Sequence, residues 1–356
     1  MSFISILMVI FSVLGAVDRI IGNKFGLGKE FEKGFMLFGN MALAMIGMII
    51  LSPFIAQILS PVFTWFYSIF HIDPSIIPAT IFANDMGGAP LAVEIAKNEQ
   101  TGLFNALVVS SMMGATVSFT IPYALGIVNP DRHKELLLGL LCGIVTIPGG
   151  CFVSGLMCRL PIGTLLLTLL PLVIFSAVIA AGLMLKPDFC VKIFAIIGAF
   201  IKIVITIGLS LGVLRFLTGI EIIKNLATLE EGAAVCLNAS AVMSGAFPLM
   251  YVVSKILTKP LRAFGSKAGI SETSAMGLIS TLATNATTFE MMNGMDKKGA
   301  LINSAFAVSA AFTFAGHLAF TMAFNADYIT PMIIGKLISG ILALILGFVI
   351  YRRLYE

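Results

Sequence analysis

Apolar residues run along this chain in blocks of roughly 20, set apart by short clusters of Lys, Arg, Asp, Asn and Pro, and a helix of that length spans a hydrocarbon core about 30 Å thick. The blocks cover residues 3–21, 34–60, 102–128, 136–158, 161–185, 194–217, 232–257, 299–324 and 331–351. About nine membrane-crossing helices are therefore expected. Two further stretches, 73–97 and 271–295, are apolar but interrupted at their centres, by 84–90 and by 284–288. Each reads as a discontinuous span or as a hairpin that leaves on the side it entered.

The distribution of positive charge separates those alternatives, because Lys and Arg gather on the cytoplasmic side of membrane proteins. If both broken stretches return, one face collects 16 Lys and Arg, among them Lys24, Lys29, Lys33, Lys134, Lys259, Arg262, Lys297 and Arg353. The other collects 4, namely Lys97, Arg159, Arg215 and Lys224, while Lys202 and Lys336 fall inside spans. Full crossing would make the faces nearly equal, so the hairpin reading is preferred, with the N-terminus outside and the C-terminus cytoplasmic.

A shift of 198 positions places Gly34, Asn40, Met45, Gly47 and Leu51 on Gly232, Asn238, Met243, Gly245 and Leu249. It also places Ile58 and Leu59 on Ile256 and Leu257, Asn105 on Asn303 and Ser111 on Ser309. An odd number of crossings separates the copies, which inverts the second; inverted repeats with broken elements at the midplane are a common plan of secondary transporters. The expected architecture is an all-α polytopic membrane protein with two broken re-entrant hairpins, an elevator-like inverted-repeat transporter. Residues 1–158 are its first repeat with hairpin 73–97, 159–190 a linking transmembrane helix, and 191–356 the second repeat with hairpin 271–295.

Composition narrows the function classes. Hydrophobic residues make up 58% and charged residues 11% of 356 positions, with a mean hydropathy of +1.03, so no soluble domain fits between the spans. The net charge of +4 lies in short loops rather than on one basic face, and nucleic acid is not implied. Residues 2–17 lack an opening Lys or Arg and end in Asp18-Arg19 without a small-residue cleavage site; they are expected to be the first span rather than an export signal. Cys142, Cys151, Cys158, Cys190 and Cys236 lie in or beside apolar segments without metal-ligand spacing and read as packing residues. Near Gly28-Lys29 a phosphate loop is ruled out, because the spacing is one residue too long and Glu30 stands where Ser or Thr is needed. No cofactor or metal is expected.

Against this background Asp85, in Asn84-Asp85-Met86-Gly87-Gly88, is a carboxylate with no aqueous surface to sit on. Such a group costs roughly 2.5 to 3.5 kcal/mol on insertion scales and marks sites or pathways. Two opposed hairpins would bring 84–88 and 284–288 together near the bilayer centre, where unpaired backbone requires protein or a polar cavity. The negative end of a short helix finishing near Ala83 adds to the charge of Asp85 and favours a small cation. A structural ion pair or helix cap is the plainer role, but no Lys or Arg is close in sequence and Gly87-Gly88 implies close backbone approach. Asn285, whose counterpart in strict register is Gly87, reads equally as a tip residue bonding its own backbone and as a site acceptor. His317 reads equally as a packing histidine and as a ligand contact or proton acceptor. Ser111, Thr116, Asn303, Ser309 and Thr313 follow the tips, on helices where small polar residues more often join helices than bind substrate. Asn40 and Asn238 read as scaffold at least as well as site, and Glu94 or Glu290 could line an access path. A hydrolase dyad of Ser244 and His317 is the weakest reading, since only a fragment of a serine elbow surrounds Ser244.

The sequence resembles the EutH family of ethanolamine permeases. The likeness runs through Ala16-Val17-Asp18-Arg19, Phe31-Glu32-Lys33-Gly34-Phe35-Met36, Asp85-Met86-Gly87-Gly88, Ser111-Met112-Met113-Gly114, Gly143-Ile144-Val145-Thr146-Ile147-Pro148, and 303–312 with His317 behind it. It implies uptake of ethanolamine across a bacterial inner membrane, feeding breakdown by a cobalamin-dependent lyase in a protein-shelled compartment; composition and spacing do not name that substrate. Ethanolamine is a cation near neutral pH. Asp85 is then expected to take the ammonium, with Asn285 and tip carbonyls as further acceptors and Ser111, Ser309 or His317 at the hydroxyl; Asn84, Thr116 and Asn303 complete the candidate substrate-binding set. An ion-coupled carrier or antiporter of another small amine, and less readily an intramembrane hydrolase, remain open. A homo-oligomer embedded in the lipid bilayer is expected.

Overall fold

Every regular element among the described residues is helical, as expected where lipid leaves no water to satisfy an open backbone. A computed structural model describes the backbone of residues 3–355, and their side chains except at 191, 257–259, 261, 262, 264 and 266. Leu257 of the repeat pattern, and Lys259 and Arg262 of the basic face, fall outside the described side chains, and residues 1, 2 and 356 at the ends of the expected segments fall outside the description.

Helix α1 (Phe3–Ile20) leads into the long α2 (Leu27–Phe70). The first interrupted stretch forms α3 (Ile76–Ile81), a 3-10 turn (Asn84–Met86) and α4 (Gly88–Ile95). Helix α5 (Glu99–Phe104) continues through π-helical turns (Asn105–Gly114 and Thr116–Thr120) into α6 (Ile121–Ile127). Then come α7 (His133–Met157), α8 (Ile162–Leu185), α9 (Pro187–Thr218) and α10 (Leu229–Ala268). The second interrupted stretch forms α11 (Glu272–Ala283) and α12 (Asn285–Met291), followed by α13 (Lys297–Ala310), α14 (Gly316–Phe324) and α15 (Ile329–Tyr355). Eight continuous helical stretches among the described residues are long and apolar enough to cross a bilayer, and the chain is a multi-pass membrane protein. The expected continuous span over 299–324 is the exception: it is two helices, α13 and α14, with residues 311–315 outside either helix.

Both interrupted stretches double back. The Asp73 carboxylate accepts from the backbone N–H of Lys97 (3.0 Å) and Asn98 (2.9 Å), joining the feet of the first. Asp296 accepts from the Ser271 N–H (2.8 Å) and the Ser274 hydroxyl (2.7 Å), joining the feet of the second. Burial raises the Asp296 carboxyl, but the donors from Ser271, Ser274 and Gly299 outweigh it and hold the group below the usual carboxylate range.

The two hairpins enter from opposite ends of the bundle. At one end the Gln100 amide donates to the Cys158 carbonyl (2.6 Å) and the Tyr328 hydroxyl to the Gln100 carbonyl (3.2 Å). At the other, Asn129 N–H donates to Asn293 Oδ1 (3.0 Å) and the Tyr355 hydroxyl to Glu135 (3.0 Å). In lipid no hydrophobic force draws helices together, so packing rests on close fit and interhelical hydrogen bonds. A Cβ at Gly47 of α2 would strike the Ile205 carbonyl of α9, and one at Gly245 of α10 would strike the Met8 carbonyl of α1. Leu166, Leu170, Val173, Ile174 and Val178 on α8 stay exposed, as a lipid-facing surface should.

Candidate functional site

The first tip is held on the π-helical stretch. Phe82 leaves α3 with extended backbone; its carbonyl accepts from the Ser110 hydroxyl (2.6 Å), while the Ala83 N–H donates to the Ser118 hydroxyl (3.1 Å). The Ala83 carbonyl accepts from Met86 N–H (3.0 Å) and Gly88 N–H (2.8 Å). These tip carbonyls, expected as substrate acceptors, are therefore engaged by the protein. Gly87 lies in left-handed backbone (φ 98°), where a Cβ would also strike Met48. Thr116 and Ser118 donate to the carbonyls of Met112 and Gly114, four residues back (2.7 Å each); such back-bonding bends helices, and wide turns of this kind recur at functional sites.

The break at 311–315 is answered by the second hairpin. Phe312 N–H donates to the Thr281 carbonyl (3.2 Å) and Phe314 N–H to the Leu282 carbonyl (3.0 Å), so amides freed in one interrupted helix meet carbonyls freed at the end of α11. Phe312 sits at φ 60°. That conformation is strained for a bulky side chain, and strain of this kind concentrates at functional positions.

Just past the break, His317 faces Asp85. Its Nε2 lies 3.9 Å from Asp85 Oδ1; the imidazole is 2% exposed and the carboxylate 28%. On its other side Nδ1 lies 3.1 Å from Lys336 Nζ, and that amine donates to the Ser111 carbonyl (2.6 Å). An ammonium has only donors, so Nδ1 accepts and Nε2 carries the ring proton towards Asp85. Phe312 stacks at a tilt on the imidazole with ring centres 5.1 Å apart. Gly316 leaves the space beside Asp85 open, since a Cβ there would approach Oδ2 to 3.6 Å. Sequence reasoning missed Lys336, which meets His317 on the side away from Asp85. The signal was present, an ionisable group inside an apolar span, but it entered only the tally of charges.

The remaining candidates separate by their partners. Asn84 is fully buried, and neither polar atom of its side chain has a partner among the described residues. Asn285 donates to the Thr120 hydroxyl (2.9 Å), leaving its own buried carbonyl oxygen without a partner. Thr116 also donates to the Val308 carbonyl (3.1 Å), Ser111 to the Val108 carbonyl (2.9 Å), and Ser309 shares a hydrogen bond with Ser339 (2.6 Å). Asn303 donates to the carbonyls of Ser274 (2.8 Å) and Gly299 (2.9 Å), and Thr313 to that of Ala310 (2.7 Å). Asp85 and His317 are thus brought together, whereas Thr116, Asn285, Asn303 and Ser309 tie separate segments to one another and Ser111 and Thr313 bond within their own turns. Glu290 accepts from the Tyr123 hydroxyl (3.0 Å). Glu94 lines a concavity of about 410 Å³ with Ser52, Asn225, Glu231 and Phe324, at the far end of α14 from His317. Ser244 is bonded to Ser12 (2.8 Å) and the Ala241 carbonyl (2.6 Å).

Comparison with known proteins adds the family. The profile described as "Ethanolamine utilisation protein, EutH" matches residues 1–350. The chain is 44% identical over 350 residues to the "Probable ethanolamine permease EutH" of Listeria monocytogenes, covering 98% of this chain and 94% of that protein. The protein of the same name from Salmonella typhimurium is 37% identical over 376 aligned residues, 95% of this chain and 92% of that one. "Uncharacterized protein YxeR" of Bacillus subtilis is 38% identical over 333 residues, 94% of this chain and 90% of that one. No solved structure matches. With an all-helical multi-pass fold and a family profile matched almost from end to end, the chain belongs to the EutH family.

Proposed function

We propose that this protein is a secondary permease that imports ethanolamine, as its ammonium cation, across the bacterial cell (inner) membrane. One observation carries the reading: Asp85, a partly exposed carboxylate at a broken tip, faces a second break through His317. The ammonium docks on Asp85 by charge-assisted hydrogen bonds, about twice as strong as neutral ones. Asn84, adjacent and without a partner for its amide, takes the substrate hydroxyl. The concavity beside Glu94 and Glu231 is the approach, about 10 Å from the site along the turns of α14. The substrate itself comes from the relatives' names.

The same reading includes an inverted repeat and elevator-like movement. Supporting it, α2, the first hairpin, α5 with α6, and α7 recur in order as α10, the second hairpin, α13 with α14, and α15. Asn98 and Asp296, which cap α5 and α13, stand 198 positions apart, and Gly47 and Gly245 make corresponding crossings. A moving carrier needs a fixed body beside it, and assembly as a homo-oligomer would supply one. The gathering of basic residues puts the base of the second hairpin on the cytoplasmic side.

In proteoliposomes, Asp85→Asn is expected to abolish counterflow of labelled ethanolamine while the protein still inserts. Undiminished counterflow would refute the assignment. Another small amine as substrate is the second reading, favoured by the simplicity of a site with one carboxylate. Competition by choline, ethylamine and glycinol analogues separates the two.

A further inference from the structure

We infer that Lys336 is a tethered counter-ion that stands in for the substrate cation when the site is empty, allowing the carrier to return unloaded and to work as a uniport. The inference rests on the reading of Asp85 as the carboxylate that takes the ammonium.

Lys336 is 1% exposed, buried among helices, and reaches Asp85 only through an imidazole. Its ammonium is satisfied by the Ser111 carbonyl and His317 Nδ1. Lys336 makes no direct ion pair with Asp85, and the 3.9 Å from His317 Nε2 to Asp85 Oδ1 is too long for a hydrogen bond. The arrangement keeps the positive charge near the carboxylate without occupying it. Asp85 remains 28% exposed and free to receive a second cation.

Charge bookkeeping gives the consequence. Empty, the group of Asp85, neutral His317 and Lys336 sums to zero. Loaded with an ammonium it carries one positive charge, and release restores zero. Neither form crosses the bilayer with an uncompensated carboxylate. Without Lys336 the empty carrier would hold a lone negative group at membrane depth, which is strongly disfavoured, and only the loaded form would move readily. Net transport would stop while exchange of one substrate for another continued.

The test uses the whole chain in proteoliposomes with radiolabelled ethanolamine. The native protein is expected to take label into vesicles holding no internal substrate, and faster under an inside-negative potassium diffusion potential, because one positive charge moves per molecule. Lys336→Met is expected to keep counterflow against internal unlabelled ethanolamine but to lose net uptake into empty vesicles by about a hundredfold. A variant with unchanged net uptake overturns the proposal. So does equal loss of uptake and counterflow, which would make Lys336 a packing or binding group, and so does a native protein that only exchanges. If Lys336→Met does not insert, Lys336→Gln replaces it, retaining donors for the Ser111 carbonyl, with the same expectations. Absence of any counterflow in the native protein would instead refute ethanolamine as the substrate.

Discussion

Among the side chains at the site, Asn84 carries the largest unmet hydrogen-bonding capacity. It is fully buried, yet its amide donates to and accepts from nothing among the described residues, and buried polar groups left so are uncommon in native proteins. A ligand hydroxyl satisfies such a group. Asn84→Ala is accordingly expected to leave thermal stability in detergent near the native value, since no internal bond is lost. It should raise the half-saturation concentration for ethanolamine about three- to tenfold, the worth of one neutral hydrogen bond. Ethylamine, which lacks the hydroxyl, should compete equally well with either protein. An equal loss for both amines would detach Asn84 from the hydroxyl. The sequence displays Asp85 and His317 as polar residues where oil is expected, and Lys336 is as visible in the same sense. Their relation is not legible, because Lys336 and the Ser111 carbonyl it binds are 225 positions apart. The hydroxyls of Ser111 and Ser309 were legible as candidates; Ser111 bonds Val108 three residues back in its own helix, whereas the bond of Ser309 to Ser339 depends on packing.

Between elements, the first tip depends on how closely it lies against the π-helical stretch. A Cβ at Gly114 would strike the Phe82 carbonyl, whereas one at Gly126, farther along the same run, meets nothing within 4 Å. Gly114→Val is therefore expected to displace the tip, lowering the melting temperature by several degrees and abolishing uptake, while Gly126→Ala changes neither. Equal tolerance of both would mean that the tip does not require this contact. The foot of the second hairpin gives a pH-dependent expectation. The Asp296 carboxyl titrates below its usual value of 3.8, so its stabilisation is complete above the unfolded value and disappears as pH falls through the folded one. Acidification below about pH 4 should lower the melting temperature more in the native protein than in Asp296→Asn, which has already lost that contribution. Both hairpins were legible because polar or small residues interrupt their apolar runs. The break at 311–315 was not. Phe312 and Phe314 are apolar, neither Gly nor Pro lies within the break, and the carbonyls of Thr281 and Leu282 that receive its amides are distant in sequence.

For the whole molecule, the decisive question is whether equivalent points of the two proposed repeats face opposite sides of the membrane. Glu99 and Lys297 open α5 and α13, are both exposed, and stand 198 positions apart. Glu99 lies next to Gln100, at the end joined to Cys158 and Tyr328; Lys297 lies beyond the foot of the second hairpin, at the end joined through Asn129 and Tyr355. The repeat spacing and the basic loops are what raise this inversion in the sequence, whereas the contacts at the two ends are not legible there. With Cys158 and Cys190, the partly exposed thiols, replaced by Ala, an impermeant maleimide should label Glu99→Cys in intact cells. Lys297→Cys should react only once the membrane is opened. Labelling of both from outside would put the two hairpin bases on one face, and the second copy could then not be an inverted counterpart of the first. The permeation path between two oppositely entering tips would fail with it, since each tip is reached from its own side of the bilayer only if the bases are opposed.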